Sequence, residues 1–158
     1  MHFRELPQLE QAIGQLKPLA DVAALTKSAA TCQAMVVRRL AVPEPGIGAC
    51  SYLVAYEGPA EDPRAWHAHY LAHHPGLMAQ LPGIRELEIY TPVEWVAATP
   101  WRRVEYLQRN KVVFDSPAAL DAALNSPIRH SMRDDFARFP RYSGAVTHYP
   151  MLSFDPWS

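Results

Sequence analysis

The stretch from Asp62 to Gly83, DPRAWHAHYLAHHPGLMAQLPG, has its start, its period and its end all marked in the sequence. Asp62 offers a side-chain acceptor to the unpaired N–H groups of a first helical turn, and Pro63 takes the first helical position, where a missing N–H costs nothing. Up to the closing Leu-Pro-Gly the segment reads as a helix. At about 100° per residue, Trp66, Tyr70, His74, Leu77 and Leu81 share one sector of that helix, while His69, Ala72 and Gln80 fall on the far side.

Strands flank it. ACSYLVAYEGP, Ala49 to Pro59, is rich in Tyr and Val and is stopped by Gly58 and Pro59. IRELEIYTPV, Ile84 to Val93, alternates Leu87, Ile89, Thr91 and Val93 with Glu86, Glu88 and Tyr90. LQRNKVVFD, Leu107 to Asp115, predicts a third strand. Ser116-Pro117 and Ser126-Pro127 then repeat the cap-and-proline start over AALDAAL and SPIRHSMRDDFARF, and GAVTHYPMLSF predicts a fourth strand.

From Cys50 onward the order is strand, helix, strand, strand, helix, strand. This is the α+β, ferredoxin-like order: a four-stranded antiparallel sheet with two helical segments on one face. Tyr, Val and Phe recur on both faces of these strands, so the uncovered face calls for a cover. A homodimer stacking sheet on sheet into an α/β barrel supplies one. Residues 1–49 are expected to form a helix-strand extension, with a helical period over Leu9 to Leu25, a strand over Cys32 to Val42 and a Pro/Gly boundary at Pro43 to Gly48. Residues 50–158 form the main domain in this reading. Glu94 to Val104 shows no clean period and reads as a long connection.

At 158 residues the chain is long enough for one self-sufficient core. Fifteen Lys and Arg stand against sixteen Asp and Glu, with no basic block, which argues against nucleic acid and against a membrane surface as partners. The first residues carry acids and no apolar segment, and no apolar run approaches the ~20 residues of a spanning helix, so a cytoplasmic protein is expected. Cys32 and Cys50 lack CxxC spacing, which argues against a disulfide scaffold and a thiolate metal site.

The histidines divide into two groups. His69 and His73 have the i, i+4 spacing of a zinc pair, but no Glu lies between them and no further ligands converge, so no metal is expected and both read as solvated. His74 shares the apolar sector. A buried imidazole must be hydrogen-bonded and can titrate near neutrality, which suits a general acid or base. The same pattern also fits a core histidine tied to a carbonyl or to Tyr70.

The helix resembles that of the EthD family, which carries Asp-Pro, an aromatic, Tyr four residues on, His four further and a closing Leu-Pro-Gly. Trp66, Tyr70, His74, Leu77, Leu81, Pro82 and Gly83 fall in register with it, and VVFDSPAALDAALNSP, Val112 to Pro127, is similar to the family's third strand and following helix. The resemblance spans Cys50 to Phe154. It departs after the histidine, where Pro75 follows directly and Gly76 stands where the family has proline, so the turn after His74 is expected to differ in shape.

The resemblance implies a dimeric α/β barrel acting on a small hydrophobic molecule, as an oxidoreductase or a lyase/isomerase-type enzyme of degradation or secondary metabolism, without a cofactor. His74 is then the candidate acid/base and Tyr70 its hydrogen-bonding companion. Trp66, Leu77, Tyr90, Trp95, Trp101 and Phe114 are the candidate apolar walls. Two other readings stay open: a non-catalytic, metabolite-binding accessory dimer, and a haem protein on the same fold.

Overall fold

In a computed structural model of the chain, which describes residues 2–13, 15, 31–96 and 101–153, the Asp62 carboxylate accepts the N–H of Ala65 at 3.0 Å and Pro63 opens the helix that follows. The described elements are α1 (Leu6–Ile13), β1 (Thr31–Cys32), β2 (Met35–Leu40), β3 (Cys50–Glu57), α2 (Pro63–Met78), β4 (Ile84–Pro92), β5 (Arg102–Arg103), β6 (Tyr106–Phe114), α3 (Pro117–Leu124), α4 (Pro127–Phe136) and β7 (Val146–Leu152). Of the expected helix over Leu9 to Leu25, residues 9–13 lie in α1, which starts three residues earlier at Leu6, and the remainder falls largely outside the described residues, as does Phe154.

The chain divides into two units, one of Met1–Met35 with Pro92–Glu105 and one of Val36–Thr91 with Tyr106–Ser158. In the first, β1 pairs in parallel with β5, Val93 donates to the Ala34 carbonyl at 3.2 Å, and the Arg103 guanidinium lies 4.0 Å above the Trp95 ring. Glu94 to Val104 therefore carries a short strand as well as connection.

The second unit holds a five-stranded sheet in the order β2-β4-β6-β3-β7. β3 runs antiparallel to both β6 and β7, and β4 antiparallel to β6. Taken alone, β3, β4, β6 and β7 with their connecting helices have the ferredoxin-like topology, and β2 adds a fifth strand beside β4. Alternation along the strands separates two faces. Tyr52, Val54 and Tyr56 of β3 lie with Val112 and Asn110 of β6 on the face covered by helices, where Trp66, Tyr70, Leu87, Ile89 and Phe114 are buried together.

The other face is mixed. Leu53, Ala55, Val113, Tyr149 and Met151 share it with an ionic cluster centred on Glu88. That carboxylate is 1% exposed, lies 2.7 Å from Arg39 Nε and 2.8 Å from Lys111 Nζ, and accepts the Tyr90 hydroxyl. Burial alone pushes its pKa up, but the donors from Lys111, Tyr90 and Arg39 outweigh burial and bring it to about 2. Lys111 also bridges to Glu86 at 2.7 Å.

Helix starts follow the sequence signals with one exception. The Ser116 hydroxyl accepts the Ala119 N–H at 3.2 Å, whereas the Ser126 hydroxyl donates back to the Ala123 carbonyl at 2.6 Å, because the turn between α3 and α4 is tight enough to bring that carbonyl within reach. The departure at Pro75 does not end α2, which runs on to Met78. The N–H that Pro75 lacks would have bonded to Leu71, which lies on the exposed side of the helix. The chain turns instead at Gly83, whose φ of 73° lies in the left-handed region. A methyl group there would meet no atom within 4 Å, so the only cost of Gly83→Ala is backbone strain. Urea denaturation should show a loss of about 1–2 kcal/mol for this variant.

Candidate functional site

The hydrogen-bond partner of His74 is neither a carbonyl nor Tyr70 but Asp135, in the last turn of α4. His74 Nδ1 lies 2.8 Å from Asp135 Oδ2, and His69 Nε2 lies 3.0 Å from Asp135 Oδ1. An ionised carboxylate can only accept, so each imidazole presents an N–H to it, and the remaining nitrogen of neutral His74, Nε2, keeps its lone pair. His69 is therefore not the solvated, far-side residue that its position on the wheel suggests. The five-residue step from His69 to His74 turns the helix to about 140° beyond a full turn, and α4 packs over the arc between them. His73, 4.7 Å from the His69 ring, has no contact with Asp135 among the described bonds. No cluster of three or more His, Cys, Asp or Glu that could hold a metal occurs among the described residues.

The elements that bring these groups together are α2, α4 and the short segment after α4. Phe139 stands edge-on to Trp66 at 5.2 Å, to His69 at 4.9 Å and to His74 at 5.5 Å, closing the seam between the helices. Burial pushes the His74 pKa below its ordinary value. The Asp135 hydrogen bond and charge pull upward without cancelling that effect, and Arg129 and His69 add to the lowering. At neutral pH His74 is thus a neutral imidazole, oriented by a carboxylate, with a free acceptor nitrogen.

His74 lines a cavity of about 40 Å³ between the helices and the sheet. By the ~10–15 Å³ that one water requires, there is room for about three waters. Val54, Met78, Leu81, Val112, Phe114 and Met132 form its apolar walls, with Asn110, Tyr56, Tyr52, Arg129 and His148 as the main polar lining besides His74. Tyr52 and Arg129 are half-buried and His148 is exposed, so the cavity is bounded toward solvent by these three long side chains.

Of the residues picked out in the sequence, His74 and Phe114 meet in this cavity. Tyr70 and Trp66 stand behind it: their rings stack at 5.3 Å, both are fully buried, and the Tyr70 hydroxyl accepts from Asn110 Nδ2 at 2.9 Å. Burial holds the Tyr70 phenol well above its ordinary pKa, so it stays protonated. Leu77 lines a separate polar groove with His73 and Asp134. Tyr90 lies on the opposite face of the sheet, hydrogen-bonded to Glu88, because it is one strand position out of phase with Ile89. Trp95 and Trp101 belong to the other unit. The sequence reading missed Asp135, His69 as its second donor, Asn110 and Arg129. The one local signal was a carboxylate in the last turn of a helix, where the macrodipole disfavours it.

A lowered His74 pKa has a stability signature. Its contribution is complete above the ordinary histidine value near 6.5 and is lost as pH falls below it, since the unfolded chain then binds a proton that the folded chain resists. Thermal melts from pH 8 to 5 should show Tm falling below pH 6.5 in the wild type and falling less steeply in His74→Gln. His69→Ala, which removes a donor from a buried carboxylate, should cost about 1–3 kcal/mol rather than nothing.

Residues 58–140 match the EthD domain. No curated protein matches the chain. Among solved structures, the chain is similar to an ethyl tert-butyl ether d (ethd) family protein from Bacillus halodurans, with 19% identity and a TM-score of 0.48, over 63% of this chain and 96% of that one. It is also similar to a dimeric protein of unknown function and ferredoxin-like fold from Bacteroides fragilis, with 16% identity and a TM-score of 0.45, over 66% and 98%. A third is SnoaB, a cofactor-independent oxygenase from Streptomyces nogalater, with 11% identity and a TM-score of 0.41, over 69% and 96%. With the domain match covering more than half of its length, the chain belongs to the EthD family.

Proposed function

We propose that the protein is a small-molecule enzyme in which His74 removes a proton from an apolar substrate, working as a homodimer without a cofactor. The observation that carries this reading is the Asp135–His74 pair at 2.8 Å, with His74 lining a cavity whose walls are mainly apolar. Carboxylate, imidazole and substrate proton in line is the arrangement of general-base catalysis: the carboxylate fixes the tautomer and balances the imidazolium that forms. A neutral resting imidazole is the competent form of a base.

Tyr70 acts here as a positioning residue, since its hydroxyl is engaged by Asn110 and does not line the cavity. Proton removal from an activated C–H or O–H leaves a carbanion or oxyanion. Such an anion can isomerise, eliminate or react with oxygen through its own chemistry, which covers the oxidoreductase and lyase/isomerase readings alike. Tyr149 and Met151, exposed on the face of the sheet away from the helices, support a second copy as the cover of that face. Light scattering should give twice the 17.7 kDa chain mass.

2-Tetralone, an apolar bicycle with acidic C–H bonds, tests the base directly. In D2O the protein should speed its hydrogen-deuterium exchange, followed by proton NMR, and His74→Ala should lower that rate by about 10²- to 10⁴-fold while circular dichroism shows an intact fold. An exchange rate unaffected by the substitution would remove His74 from the chemistry.

A further inference from the structure

We infer that Arg129 is the anion-recognising residue of the cavity, and that the ligand is a flat aromatic molecule bearing an acidic oxygen, a phenol or an enol, whose oxyanion pairs with the guanidinium. The inference deepens the reading of His74 as a base and rests on it for the proton's destination. Among the described residues Arg129 makes no salt bridge and no side-chain hydrogen bond, although it is half-buried and lines the cavity with His74. Elsewhere in this unit Arg85 is paired with Glu44 and Asp115 and Lys111 with Glu86 and Glu88, while half-buried Arg109, on the face of the sheet away from the helices, lies 4.8 Å over the Tyr106 ring.

A half-buried guanidinium that no carboxylate engages keeps its fork of N–H donors available to an anionic ligand. Its field reaches Tyr52, Tyr56, His74 and His148, none of them an anion at neutral pH, and it disfavours the protonated form of both histidines. Its position in the helix points the same way. Arg129 stands in the first turn of α4, at the positive end of the helix dipole, so guanidinium and dipole repel each other in the empty site and both attract an anion.

Beside it Tyr52 and His148 stack at 5.6 Å with an interplanar angle of 28°, a flat platform at the cavity's solvent side. The proton balance is simple. The substrate O–H proton goes to Nε2 of His74, the electron pair of the broken O–H bond stays on the substrate oxygen, and that oxyanion faces Arg129 while Asp135 faces the imidazolium.

4-Nitrophenol, whose phenolate is coloured, tests this against 4-nitroanisole, which has the same shape but no acidic proton. At saturating protein the phenolate-to-phenol ratio at a fixed pH should rise at least about tenfold over buffer. Arg129→Met should return the ratio toward the buffer value while binding 4-nitroanisole as the wild type does, which also shows that the variant is folded. Three outcomes overturn the inference: binding of neither probe, a ratio that binding leaves unchanged, or a raised ratio that survives Arg129→Met. A raised, Arg129-dependent ratio together with 2-tetralone exchange that ignores His74→Ala would sink the base and leave the anion site standing.

Discussion

One buried carboxylate organises the site. Asp135 is 6% exposed, and a carboxylate so placed is tolerated only when its charge and lone pairs are met. It is met twice, by imidazoles five residues apart on α2. These two hydrogen bonds fix how α4 lies across α2, because neither histidine reaches Asp135 unless the helices are in register. α4 in turn carries Met132 and Arg129 over the cavity. The position of the cavity roof thus follows from an electrostatic requirement at one atom pair rather than from apolar packing alone, which would accept several relative positions of two helices.

The sheet beneath applies a different constraint. Because strand side chains alternate, β4 sends Leu87 and Ile89 into the core and Glu86, Glu88 and Tyr90 to the opposite face, and a one-residue slip would exchange them. Such a slip would bury three polar groups among Trp66, Tyr70 and Phe114. The ion pairs of Glu88 with Arg39 on β2 and Lys111 on β6 pin the same register from the other side. Apolar core and ionic cluster therefore specify one alignment, and the cavity inherits its floor of Val54, Asn110, Val112 and Phe114 from it.

This explains what was legible in the sequence. Local signals survived: Asp62 with Pro63, Ser116 with Pro117, the period of β4 and the Leu-Pro-Gly turn each act within a few residues, and each element forms where it is marked. Together they give the strand order and hence the fold. Long-range partners were invisible. Asp135 is one of two adjacent aspartates, and only the packing of α4 decides that it, and not exposed Asp134, is buried. His69 was misplaced because the wheel assumed one buried side, whereas α2 is covered by the sheet and by α4. β2 was readable as a strand but not as a sheet member, since six residues with two adjacent arginines carry no mark of their neighbour. Tyr90, Trp95 and Trp101 are large aromatics whose type says burial and not which surface buries them.

The two charges of α4 beside His74 run against the dipole of their own helix. A helix selected for its own stability places acids in its first turn and bases in its last, each worth a few tenths to 1 kcal/mol. α4 does hold Arg133 in its last turn, but its two charges nearest the cavity are reversed: Arg129 at the positive end and Asp135 at the negative end. Apolar residues of similar volume at these positions would fill the seam without desolvation cost, and replacing buried ionic groups in that way is often neutral or stabilising. Local rules broken at two places on one helix, both facing the same imidazole, are expected where chemistry rather than folding sets the choice of side chain. A base that must hold a positive charge needs an anion behind it, and an oxygen that must hold a negative charge needs a cation in front. α4 presents both, about one and two-thirds turns apart on the same rigid element, so in the proposed reaction a proton moving from ligand to His74 leaves each new charge beside a fixed charge of the opposite sign.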